Sequence, residues 1–120
     1  MAIVNRVQKN AVMPKYDVIK FQILTYCYIN TITISDSDLN CLTLLSLAGS
    51  IELSHFCNDT SSDEDAIFKS PQTVRNSINK AKKIGLVIND NNNKKNVLIN
   101  PSLKIQTEGK IFLDYKFLGA

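Results

Sequence analysis

Between Ser70 and Val87 the sequence reads SPQTVRNSINKAKKIGLV, a segment with amides and cations at helical spacing. At roughly 100° per residue, Val74, Ile78, Ala81 and Gly85 fall along one stripe. Gln72, Arg75, Asn76, Asn79, Lys80 and Lys83 fall on the opposite side. Carboxamides can form two hydrogen bonds with the edge of adenine, and Arg and Lys favour guanine or phosphate. No acidic residue occurs from 69 to 89, so nothing within the segment repels a polyanion. An ordinary solvated helix face is the competing reading.

Other chemistries lack their residues. Cys27, Cys41 and Cys57 are odd in number, widely spaced and set among apolar neighbours, as suits reduced, packed thiols. His55 is the single histidine and has no companion at metal-ligand spacing. Paired with Cys57 as a nucleophile it would face another way on a helix, and no orienting acid is evident. The expectation is a protein that is not an enzyme and holds neither metal nor cofactor.

Charge is unevenly distributed. Residues 1–68 carry four basic and eight acidic side chains, net −4, whereas residues 69–120 carry ten basic and three acidic, net +7. A positive second half suits an anionic partner, because clustered cations steer polyanions. Twelve lysines against two arginines, beside thirteen asparagines and fourteen isoleucines, also match AT-rich coding. Lysine number alone therefore decides nothing. The longest uncharged run, Phe21 to Ser35, is too short and polar to span a bilayer, and the first residues lack the pattern of a secretory signal.

These residues must be positioned by a small α+β domain. Residues 1–15 read as an extended arm, and 16–120 as the domain. Tyr16 to Ile34 is dense in isoleucine, threonine and aromatics, which favours a strand early in the stretch, with a helix as the alternative. Ser35 or Ser37 can cap a helix over about 36–48, with Gly49 as its stop. Ser50 can cap a shorter helix from Ile51, followed by a polar acidic loop at 59–66. Ser70 and Pro71 open the basic helix and Gly85 closes it. LVIND and NVLIN then form a hairpin with Lys94 and Lys95 near its tip, and residues 110–118 form a last strand, a candidate partner for Val18 to Tyr26. This order is that of a winged helix-turn-helix: three helices, a β-hairpin wing, and additional N- and C-terminal strands.

Residues 50–118 resemble a known family. SPQTVRNSINKAKKIGLV, the hairpin, VLINPSL and the closing KIFLDYKF are similar to the winged-helix domain of small plasmid replication initiators and related phage proteins. The resemblance implies that Gln72, Thr73, Arg75, Asn76 and Asn79 occupy recognition-helix positions, Lys94 and Lys95 the wing, and Asn100 with Pro101 the turn ending it. The acidic loop departs from the family's tight turn and would repel phosphate if it pointed the same way.

The expected function is sequence-reading DNA binding by a phage or plasmid regulator or replication accessory. Double-stranded DNA is the expected partner, read by a homodimer in the host cytoplasm. The alternative is a structural or adaptor protein, such as a virion component, whose winged helix contacts other protein subunits. Neither reading requires a membrane.

Overall fold

The computed structural model describes residues 3–62 and 68–119. Strand β1 (Ile3–Ala11) leads into helices α1 (Lys15–Ile29) and α2 (Asp36–Ala48). A two-residue strand β2 (Ile51–Glu52) precedes helices α3 (Leu53–Ser61) and α4 (Pro71–Lys83). Strands β3 (Val87–Asn89) and β4 (Asn96–Ile99) follow, then a short 3-10 turn (Pro101–Leu103) and strand β5 (Ile111–Gly119). The class is α+β, with four helices and two small antiparallel sheets among the described residues, ordered β2-β4-β3 and β1-β5.

Three boundaries follow local signals. Ser35 Oγ accepts from the Asp38 amide at 3.2 Å and opens α2, satisfying one of its free donors. Ser70 Oγ accepts from the Thr73 amide at 3.3 Å, with Pro71 at the first helical position of α4. At the other end Gly85 has φ 83°, and the Gly85 and Leu86 amides donate to the carbonyls of Lys82 and Ala81. That left-handed residue closes α4.

Three expectations are corrected. The stretch from Tyr16 is helix rather than strand, because Ile19, Ile23 and Cys27, each one helical turn apart, are fully buried in the core. Burial of that stripe against α2 outweighs the β preference of the individual residues. The helix ends on Thr31 at φ 59°, where the Thr31 and Ile32 amides donate to Tyr28 and Cys27, a glycine-type closure made by a β-branched residue. With that region helical, the last strand pairs elsewhere: β5 lies antiparallel to β1, with Val7 opposite Tyr115. The second short helix also begins later than expected, since Ile51 and Glu52 pair with Val97 and Asn96 of β4 before α3 starts.

One core serves the helices and the three-stranded sheet. Ile19 and Ile23 of α1, Leu42 and Leu45 of α2, Phe56 of α3, Val74 and Ile78 of α4, and Val87 and Val97 of the sheet meet there. Cys27, Cys41 and Cys57 are buried in the same core as free thiols. Burial pushes the Cys41 thiol up to about 12, so it stays neutral. The β1–β5 ribbon stands apart. Almost all of its described side chains are exposed or half-exposed, and the molecule measures 55 Å along its longest axis against 28 and 24 Å across.

Candidate nucleic-acid interface

Helix α4 turns Val74, Ser77, Ile78 and Ala81 into the core. The helical period then fixes the rest. Gln72, Asn76, Asn79 and Lys83 are exposed on the outward side, with Gln72 Nε2 donating to Asn76 Oδ1 at 2.8 Å. That bond orients one amide by the other and leaves the Asn76 NH2 and the Gln72 carbonyl oxygen free to bond outward. Thr73 sits at the helix entrance, its hydroxyl 2.9 Å from Ser70 Oγ.

Arg75 and Lys82 leave α4 on the flank nearest the sheet and are half-buried. Together with Glu52, Leu53 and Ser54 at the start of α3, and with Asn89, Lys94 and Lys95 of the hairpin, they line a cleft of about 400 Å³. Arg75 Nη2 donates to Ser54 Oγ at 3.1 Å, which fixes the guanidinium at the cleft wall. Four cations thus converge from two elements, with Glu52 the carboxylate among the lining residues.

The hairpin tip is held by its own asparagines. Asp90 Oδ1 accepts from the Asn92 amide at 2.9 Å, and Asn93 Oδ1 from the Lys95 amide at 3.1 Å. Asn89 Nδ2 donates to the Lys94 carbonyl at 2.7 Å, and the Leu53 amide to the Lys95 carbonyl at 3.1 Å. The Lys94 and Lys95 backbone is therefore tied to both the hairpin and α3, while their side chains stay exposed. The Ser50 hydroxyl, then the turn amides, hold the Asp90 carboxyl below its ordinary range.

Asn100 closes the hairpin. Its side chain accepts from the Ser102 amide at 3.0 Å and donates to the Gly85 carbonyl at 2.9 Å. The end of β4 is thereby joined to the residue that stops α4, and Pro101 begins the 3-10 turn.

Lys80 separates from the other candidates. Its Nζ lies 2.8 Å from Asp38 Oδ2 on α2, on the flank of α4 away from the cleft. Lys82, which is not among the outward residues read from the sequence, lines the cleft. The available signal was its spacing, seven positions after Arg75 and hence on the same flank. Within the acidic segment 59–66, Asp59 lies 3.1 Å from His55 Nε2 one turn earlier in α3. Asp63, Glu64 and Asp65 lie outside the described residues.

Comparison with protein families, characterised proteins and solved structures gives no match. An acid-free row of amides on a helix, beside a cleft with four cations, presents donors at hydrogen-bonding length and positive charge at a flank. Its cations suit phosphate oxygens, and its amides suit base edges. Among the described residues no helix is long and apolar enough to cross a membrane.

Proposed function

We propose that this protein binds double-stranded DNA as a winged helix-turn-helix, with α4 in the major groove and the β3–β4 hairpin against the adjacent backbone. The order α2, β2, α3, α4, β3, β4 and the sheet order β2-β4-β3 support that reading of the fold. The observation that carries it is the convergence of Arg75 and Lys82 with Lys94 and Lys95 beside the exposed amides of Gln72, Asn76 and Asn79. Cations at the cleft neutralise phosphate and set the register, and the amide row reads base edges. The resemblance of residues 50–118 to the winged-helix domain of plasmid replication initiators and related phage proteins supports the role of a phage or plasmid regulator or replication accessory.

A second reading rests on a separate observation. Tyr28 and Ile29 on α1 are 86% and 72% exposed, and Phe117 and Leu118 on β5 are 62% and 71% exposed. Such apolar surface suits protein contact, as in an adaptor or virion component. Binding to mixed-sequence DNA fragments, titrated with salt, separates the two. DNA binding predicts affinity that falls steeply as salt rises; no binding at low salt would overturn it in favour of the adaptor.

A further inference from the structure

Among the described residues the sheet of the β1–β5 ribbon contains these two strands, so the ribbon has two free edges. An isolated two-stranded sheet is marginally stable in water and exposes a row of unpaired backbone groups at each edge. The edges differ in character. The β1 side carries Arg6, Gln8, Lys9 and Asn10, charged and polar residues that discourage further pairing. The β5 side carries Ile111, Phe112, Leu113, Tyr115, Phe117 and Leu118, a composition that favours pairing.

Charge within the ribbon is unbalanced. Arg6 stands directly opposite Lys116 in the register, and like charges so placed destabilise a strand pair. Arg6 leans away to Asp114, with Nε and Nη2 donating to its two carboxylate oxygens at 3.1 and 3.0 Å. Among the described residues no carboxylate lies within ion-pair distance of Lys116.

We infer that β5 pairs antiparallel with β5 of a second copy, across a two-fold axis at Tyr115, giving one sheet of order β1-β5-β5-β1. In this register Lys116 faces Asp114 of the second copy, and the symmetry makes that contact twice. Leu113 faces Phe117 and Phe112 faces Leu118, so the remaining long side chains pair apolar with apolar. The two-fold requires residues on one face to pair with residues on the same face, so the neighbouring registers centre on Leu113, Asp114, Lys116 or Phe117. Those centred on Asp114 or Lys116 oppose like charges directly, and the others shorten the overlap and leave Lys116 without an acid. The charge pattern of β5 thus selects one alignment with itself, and the polar β1 edges end the sheet.

The inference does not rest on DNA binding, and its test uses no DNA. Sedimentation velocity of the full chain should show a dimer at about 100 µM, where an interface of micromolar affinity is saturated. Lys116→Glu places a carboxylate opposite Asp114 of the second copy, yet gives Arg6 an acid directly across its own ribbon. The single chain should therefore keep its far-ultraviolet circular dichroism while the dimer dissociation constant rises roughly tenfold or more. Adding Asp114→Lys to Lys116→Glu restores opposite charges across the two-fold and should restore the dimer. A monomeric wild type, a Lys116→Glu dimer of undiminished affinity, or a double variant no tighter than Lys116→Glu would each overturn the inference.

Discussion

Lys80 Nζ lies 2.8 Å from the Asp38 carboxylate, which also accepts the buried Ser77 hydroxyl from the same helix. One acid of α2 thereby holds two residues of α4, and a lysine that looks free in the sequence is engaged within the fold. Lys80→Ala is expected to leave the salt dependence of DNA binding unchanged and to reduce stability by at most about 1 kcal/mol, the range of partly exposed ion pairs. A salt slope lowered by a full charge would return Lys80 to the interface.

The same acid sets a pH dependence. Burial raises the Asp38 carboxyl, but hydrogen bonds from Lys80, Ser77 and Ser35, with the Lys80 charge, outweigh it and hold the group below 3.8. A depressed folded value means that its stabilisation is complete above the unfolded value and is lost as pH falls through the lower folded one. Asp38→Asn should be less stable than wild type at neutral pH, with the gap narrowing below about pH 4. Urea melts across that range would refute the assignment if the gap stayed constant.

The cleft cations should act on every DNA sequence alike. Replacing Lys94 and Lys95 together by alanine is expected to lower the salt slope by up to about two charges, and Lys82→Ala by about one. Fluorescence anisotropy at several salt concentrations measures both. An unchanged slope in the double variant would remove the hairpin from the interface.

Amide and cation on the outer face of α4 should fail differently. Asn76→Ala is expected to relax the preference at particular base pairs, with a loss of about 1 to 3 kcal/mol for a two-bond contact. Lys83→Ala should weaken all sequences similarly. Selection from a randomised DNA pool distinguishes them, and identical preferences in wild type and Asn76→Ala would count against base reading.

Thr31 at φ 59° offers a stability test independent of function. A β-branched residue is strained in that conformation, so Thr31→Gly should stabilise the protein by up to about 1 kcal/mol in thermal melts. A lower melting temperature would mean that the Thr31 side chain contributes more than its backbone strain removes.

Helices α2 and α4 were legible almost residue by residue because their signals are local. Ser35 and Ser70 cap, Pro71 enters, Gly49 and Gly85 stop, and the apolar stripes between them have helical period. The hairpin was legible for the same reason, since asparagines that accept tight turns separate two β-prone runs. Helix α1 was not. Its isoleucines, threonines and aromatics favour a strand one by one, and only burial of Ile19, Ile23 and Cys27 on one side selects the helix.

The sequence alone determined which residues α4 can turn outward and that none of them is acidic, because helical period is a property of the chain itself. Tertiary structure decided which cations are available. Lys80 lies beside Asp38, 42 positions earlier, whereas Lys82 and Arg75 share a cleft with the hairpin lysines. It also decided that β1 and β5, separated by the whole helical domain, form one ribbon. Such pairings depend on which surfaces a common core brings together, and no local pattern records them.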